Sequence, residues 1–358
     1  RGAVSQPAHR FSQELREPVD DGWTPPTGLE SAVRPQHDDG DGDGDGDGDG
    51  DGDGVEELSH DEAVWWQQAP LAANTQVSRE RARSAIQKND SPDIYFDHSV
   101  NPYRGCEHGC VYCYARPYHS YLNLSPGLDF ETRLFAKTNI AEVLRAEISH
   151  PRYQAASLNI GSATDCYQPI ERDWQLTRQV IAVLHEACHP FSLITKSSGV
   201  ERDIDLLAAA AAQQRAAVYI TITSLDPHLT RLLEPRAAAP HRRLRTIRTL
   251  AEAGIPVGVS VAPHIPFLNE DMEQVLHAAR EAGATSAFYT VLRLPWELNA
   301  MFQQWLQVHY PERAQRVMER VRDLHGIALE ARSAGKSYDS QSATRMKGRG
   351  LWADLVRQ

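Results

Sequence analysis

The sequence predicts an α/β protein: an incomplete (β/α)6 barrel, with a disordered acidic tail before it and a helical extension after it. Three observations carry this prediction. Between residues 93 and 295, short β-branched or aromatic runs alternate with amphipathic helical stretches. Such alternation implies parallel strands joined by right-handed crossovers. Six units of this kind suit a curved sheet that stops short of an eightfold closed barrel. An open Rossmann-like sheet is the alternative, but no glycine-rich dinucleotide turn follows any strand. The third observation is an abrupt change of composition. Residues 1–60 hold four Arg and sixteen Asp or Glu, a balance of −12 within a chain of −11, so the remainder stands near +1.

The acidic excess centres on eight Asp-Gly repeats from Asp39 to Gly54. Alternating glycine and like charge cannot bury apolar surface, so the repeats are expected to be disordered. A calcium site would need the apolar partners of a β-roll or the closing Glu of an EF-hand, and both are missing. Residues 61–92 read as a linker, 93–295 as the barrel and 296–358 as the helical extension. Because recognisable motifs begin after residue 90, residues 1–60 are expected to be dispensable for chemistry.

Ile94-Tyr-Phe reads as the first strand and Leu134-Phe-Ala as a short extended piece. Ile140 to Ile148 is a helix capped by Thr138 or Asn139. Ser157 to Ile160 is the second strand, followed by an apolar helix face at Leu176, Val180, Val183, Leu184 and Ala187. Phe191 to Thr195 is the third strand and Asp203 to Gln213 the next helix. Ala217 to Thr223 makes the fourth strand; Leu244, Ile247 and Ala251 stripe a helix that stops at Gly254. Ile255 to Val261 is the fifth strand, Met272 to Ala282 a helix ended by Gly283, and Ser286 to Leu292 the sixth strand.

In such barrels, active groups gather where the strands end. The exits here are polar in succession: Gly161-Ser-Ala-Thr-Asp, Thr195-Lys, Thr223-Ser-Leu-Asp, Ala262-Pro-His and Arg293. The first exit holds Cys106, Cys110 and Cys113 at C-x3-C-x2-C spacing. Three thiolates on one short loop can take three corners of a cubane iron–sulfur cluster and leave one iron open. A closed zinc site would want a fourth ligand nearby, and the next cysteine is Cys166. Five cysteines, three of them in one motif, are not a disulfide framework. No membrane-length apolar run and no signal pattern are present, so a cytoplasmic enzyme is expected.

With Tyr112 before the last cysteine, this loop resembles the signature of the radical S-adenosylmethionine (radical SAM) superfamily. Several further stretches are similar to its spore photoproduct lyase-like branch: Thr164-Asp-Cys-Tyr-Gln-Pro-Ile-Glu, Thr195-Lys, Glu234-Pro-Arg, the Ala253–Pro263 run, Tyr338-Asp-Ser and Arg345-Met-Lys-Gly-Arg-Gly. The likeness covers about residues 90–350. It implies a radical SAM core and a [4Fe-4S] cluster on Cys106, Cys110 and Cys113 that binds S-adenosylmethionine at its open iron. One-electron cleavage would then give methionine and a 5′-deoxyadenosyl radical that abstracts hydrogen. It further implies that Ser162, Thr164 and Asp165 meet the methionyl amine, Lys196 and Ser224 the carboxylate and ribose, and Tyr112 the adenine. A flavodoxin- or ferredoxin-type electron donor would be the partner.

One departure matters. The lyase has a hydrogen-donor cysteine before the matching threonine, whereas this chain has Ser162-Ala-Thr-Asp with Cys166 two residues after it. Cys166 is therefore a candidate donor or a small packed residue. Cys188 ends an apolar helix face and reads as packing; His264 is a candidate for proton transfer, and His108 reads as structural. Two basic stretches, Arg242-Arg-Leu-Arg with Arg248 and Arg345/Lys347/Arg349 beside Trp352, suit a nucleic-acid phosphate backbone, or are simply solvated faces. The leading reading is a radical SAM enzyme with a nucleic-acid base as candidate substrate. The other is a non-catalytic iron–sulfur protein for electron transfer or structure.

Overall fold

The computed structural model describes residues 1–11, 75–328, 335, 337–338, 340 and 344–357. The Asp-Gly repeats, and the disorder and calcium readings attached to them, lie outside these residues.

Among the described residues a seven-stranded sheet forms the frame. Two segments of the expected linker are already strands: β1 (Gln76–Glu80) and β2 (Ile86–Lys88). They precede β3 (His98–Val100), β4 (Tyr103–Arg104), β5 (Arg133–Lys137) and β6 (Leu158–Ile160). The sheet continues through β7 (Phe191–Thr195), β8 (Ala216–Thr221), β9 (Val257–His264) and β10 (Ser286–Val291). The order is β10-β9-β8-β7-β6-β3-β2, parallel from β3 to β10, with β2 antiparallel at one edge. Six parallel strands in sequence order match the expected unit count. A separate sheet, β1-β5-β4, was not anticipated.

The first barrel strand is displaced from its expected place. Ile94-Tyr-Phe lies in a loop, and β3 follows it. Tyr95 is exposed and stacks edgewise on Phe96 and Phe288, so its aromatic character serves ring contacts instead of strand pairing.

Strand residues alternate between two faces. Val100, Ile160, Leu193, Val218, Ile220 and Val259 are buried against the crossover helices. These helices are α1 (Leu128–Thr132), α2 (Ile140–Ile148), α3 (Glu171–Trp174), α4 (Leu176–Glu186) and α5 (Ile204–Ala211). After them come α6 (Pro227–Leu233), α7 (Pro240–Glu252) and α8 (Met272–Glu281). The opposite face carries Asn159, Ile194, Thr221, Ser260 and Phe288, which line a cavity at the strands' C-terminal rim.

The expected helical extension is present as α9 (Glu297–His309), α10 (Pro311–Leu324) and α11 (Leu351–Arg357). Its apolar stripe (Leu298, Phe302, Trp305, Val317, Val321) forms a second core with Val111 and Tyr112 of the cysteine loop. Burying such side chains contributes about 1.5–3 kcal/mol each. The extension therefore holds the loop as much as it caps the barrel. None of the described helices is long and apolar enough to cross a membrane.

Candidate active site

The cysteine loop follows β4, just beyond the end of β3. Cys106, Cys110 and Cys113 are free thiols lining one cavity of about 300 Å³. Backbone bonds fix the turn: Cys106 N–H donates to Phe130 O (2.9 Å), Val111 N–H to Leu233 O (3.0 Å) and Cys113 N–H to Cys110 O (3.2 Å). Gly109 adopts a φ of +67°, and a Cβ there would sit 2.8 Å from the Glu131 carboxylate.

Behind the loop lies Arg116, fully buried. Its guanidinium donates to Cys110 O (2.8 Å), Gly109 O (2.9 Å), Gly127 O (3.0 Å), Pro126 O (3.1 Å) and Glu131 Oε1 (2.5 Å). All five donor positions are used, and the charge is compensated by Glu131, as a buried cation requires. A positive residue three positions after the last cysteine was visible in the sequence. Its partner, fifteen residues on, was not.

The second-strand exit makes the wall facing the loop. Asp165 Oδ1 accepts from Thr195 Oγ1 (2.6 Å) and Tyr167 N–H (2.9 Å), and its Oδ2 accepts from Lys196 N–H (2.7 Å). His108 Nδ1 stands 3.2 Å from the same Oδ2. Burial alone would raise the Asp165 pKa, but His108, Thr195 and the Lys196 amide outweigh it and hold the carboxyl well below the usual carboxylate range. With both oxygens engaged, Asp165 acts by fixing β6 against β7. Ser162 Oγ takes a bond from Asn101 Nδ2 (3.3 Å), Ala163 N–H donates to Asn101 Oδ1 (2.9 Å), and Thr164 Oγ1 donates to Tyr103 O (3.2 Å).

Lys196 points into the cavity, its Nζ 5.8 Å from the Tyr112 ring. Desolvation opposes its charge, yet Cys110, Glu234 and Asp165 raise its pKa overall. The Tyr112 hydroxyl donates to Glu234, which also receives Thr223 Oγ1 (2.5 Å) and pairs with buried Arg243. Burial drives the Cys110 thiol up to about 12, against the pull of Lys196. Burial likewise pushes Cys106 well up. Neutral thiols in such a place become stable as thiolates when iron compensates their charge. The residues thus fit a cubane cluster.

Eight of the sequence-predicted residues therefore share one cavity: the three cysteines, Tyr112, Ser162, Thr164, Asp165 and Lys196. Two do not. Ser224 Oγ donates to Asp271 Oδ2 (2.9 Å) and caps Asp226, away from the cavity; Thr221 and Ser260 are the hydroxyls that line it on β8 and β9. Cys166 is fully buried in the main core, with its thiol 3.7 Å from Ile194 O. It sits under Gly161, whose φ is +87° and where a Cβ would lie 3.0 Å from the sulfur. It does not line the cavity. Cys188 is exposed, and His264 is buried without lining the cavity.

The basic stretches also resolve differently. Arg242 pairs with Glu201 (2.7 Å) and Arg243 with Glu234. Arg345 forks onto Asp93 (2.6 Å), and Lys347 Nζ donates to Tyr289 O (2.9 Å). Arg242, Arg243 and Arg345 are thus paired within the fold, whereas Arg245, Arg248, Lys347 and Arg349 are exposed. The sequence reading missed Tyr114 and the use of Arg293, which stacks on that ring at 4.1 Å. Both residues also line a second cavity of about 370 Å³, with Tyr118, Trp296 and Arg345. Trp296 is 58% exposed, and its φ of +48° is rare for a bulky residue.

Comparison with known proteins agrees with this geometry. The profile described as Radical SAM superfamily matches residues 100–281. An uncharacterised protein of Mycobacterium tuberculosis is 36% identical over 241 residues, covering 66% of this chain and 71% of its own. Another from Methanocaldococcus jannaschii is 27% identical over 242 residues, covering 68% and 86%. Among solved structures, a spore photoproduct lyase variant with bound AdoMet and dinucleoside spore photoproduct matches with a TM-score of 0.50 and 16% identity. The match covers 66% of each chain, and it concerns the fold alone.

Proposed function

Because the chain belongs to the radical SAM superfamily, we propose that it is an enzyme that cleaves S-adenosylmethionine reductively at a [4Fe-4S] cluster held by Cys106, Cys110 and Cys113. The observation that carries this reading is the convergence of those thiols, Lys196 and the Ser162–Asp165 turn on one cavity. When bound, the cluster and S-adenosylmethionine supply a 5′-deoxyadenosyl radical that abstracts hydrogen. The chain's own part is positional. Ser162 and the backbone beside it face the methionyl amine, while Asp165 holds Lys196 toward the carboxylate. Thr221 and Ser260, the latter without a partner for its buried hydroxyl, are the hydroxyls left for the nucleoside. A flavodoxin- or ferredoxin-type protein donates the electron.

The substrate we propose is a nucleic-acid base. Supporting it are the exposed rings of Tyr118 and Trp296 and the guanidinium of Arg293 at the junction of the two cavities. Arg293 has no carboxylate at ion-pair distance among the described residues, unlike Arg345. Rings stack bases, and an unpaired guanidinium binds phosphate.

Anaerobic reconstitution followed by reductant and S-adenosylmethionine tests the first part. Chromatography should find 5′-deoxyadenosine, absent in Cys106→Ala; an intact cluster without that product would favour the electron-carrier reading. For the substrate, binding to single-stranded DNA should weaken as salt rises, with a slope about 0.7 to 0.9 units shallower in Arg293→Gln. Salt-independent binding, or none at low salt, would point to a small molecule or a protein.

A further inference from the structure

Residues 1–11 belong to the stretch expected to be dispensable, yet they pack on the back of the cysteine loop. Gly2 N–H (3.1 Å) and Ala3 N–H (2.8 Å) donate to the two oxygens of Glu131, the carboxylate that compensates Arg116. Gly2 and Ala3 are both buried. A Cβ on Gly2 would fall 1.7 Å from Gly109 O, so only glycine lets the two backbones come this close. The contact continues along the chain. Gln6 Oε1 accepts from Leu128 N–H (2.6 Å), and Pro7 O from Ser125 Oγ (2.6 Å). Arg10 donates to Pro117 O (3.2 Å), pairs with Glu297 (3.0 Å) and stacks on Trp296 at 4.4 Å.

We infer that residues 1–11 form a strap that positions the cluster loop. The route is continuous: strap amides to Glu131, Glu131 to Arg116, Arg116 to the carbonyls of Gly109 and Cys110. These two carbonyls flank one cluster ligand, so the backbone conformation that aims Cys110 depends on the strap. Without it, Glu131 loses two of its donors and Gly109 loses the wall against its carbonyl. A buried acceptor left unmet is unfavourable, and opening of the loop would relieve it. Glu131 and Arg116 are positioning residues, acting through Cys110 and not on the substrate.

The experiment uses the full chain, with and without reconstituted cluster. In a Gly2→Val/Ser125→Ala/Arg10→Ala variant, hydrogen exchange reports release of the strap directly from the amides of Ala3 and its neighbours. Exchange at Gly109, Val111 and Cys113 should then accelerate about tenfold or more, and the cluster's visible absorbance should bleach several times faster in air. Val4→Ala, at an exposed position of the same strap, should change neither. A released strap with loop exchange and cluster lifetime as in the unaltered chain overturns the inference. Should the triple variant not fold, Ser125→Ala with Arg10→Ala decides by the same two readings. Neither reading needs S-adenosylmethionine, so a failure of the proposed reaction would not be confused with a failure of the strap.

Discussion

The back of the cysteine loop and the rim of the second cavity are built on opposite plans. Around Arg116, Glu131 and Glu107 the charges are buried and mostly met: Glu107 Oε1 takes Arg236 (2.8 Å) and Thr75 (3.0 Å) and its N–H reaches Gln168 (2.9 Å), while its Oε2 has no hydrogen bond among the described residues. At the rim, Tyr118 and Trp296 stand open to solvent, and Arg293 has a ring for company instead of a carboxylate among the described residues. A network with most of its buried charges met favours one conformation, because the alternatives leave more of them unmet in low dielectric. An open aromatic rim with one unpaired cation admits many occupants. On the function proposed above, the cofactor would meet the tightly bonded region and the substrate the open one.

The largest effect should come from the ligands themselves. Replacing Cys106, Cys110 or Cys113 singly by Ala should abolish cluster assembly by iron and sulfide analysis while leaving a folded chain. Normal loading in any of the three would break the first half of the comparison. Next is the buried pair on the barrel side: Arg243→Met strands the Glu234 charge and should destabilise by about 3–5 kcal/mol in chemical denaturation. Tyr112→Phe removes a single donor from the same carboxylate. It should cost about 1–3 kcal/mol, and a value near that of Arg243→Met would show that the network cannot rearrange at all.

A pH prediction separates the regions without mutating the site. Burial lowers the His119 pKa from 6.5 to about 4, against the pull of its bond to Arg133 O (3.0 Å). A depressed folded-state pKa means that the unfolded chain binds the extra proton first. His119 therefore favours folding in full above 6.5, and this contribution is lost as pH falls toward about 4. Asp165, also depressed, adds to the loss at lower pH still. Denaturation midpoints at pH 7 and pH 5 should differ in that direction, and His119→Gln should flatten the difference. The smallest effect belongs to the partly exposed Arg242–Glu201 pair. Arg242→Gln should change stability by less than about 1 kcal/mol and leave nucleic-acid affinity untouched.

Sequence pattern reached the parallel sheet because strands buried on one face repeat an apolar run with each helix; five of the six were placed, and the first was assigned to residues 94–96, which lie in a loop before β3. The small sheet escaped because β4 is two residues long and β1 is polar and half-exposed, so neither bears a periodic stripe. Spacing also identified the cluster ligands, whose chemistry demands closeness in the chain. It left Cys166 open between a donor and a packed residue, and the fold buries it in the core; Ser224, expected toward the ribose, bonds Asp271 instead. The basic stretches were legible only in part. Adjacent Arg242 and Arg243 each meet an acid from another element, Glu201 and Glu234, and no local pattern records a distant partner.

One feature of the fold bears on how the molecule survives in a crowded solution. An unclosed sheet ends in a strand with free donors and acceptors, and β10 is that strand. Val291 N–H donates to Met346 O (2.9 Å), Lys347 reaches back to Tyr289 O, and Arg345 clamps the returning chain to Asp93. The returning chain occupies part of the edge where a second molecule would otherwise add its own strand. Shortening the chain before residue 344 would therefore show itself first as self-association and loss of solubility, before any loss of chemistry.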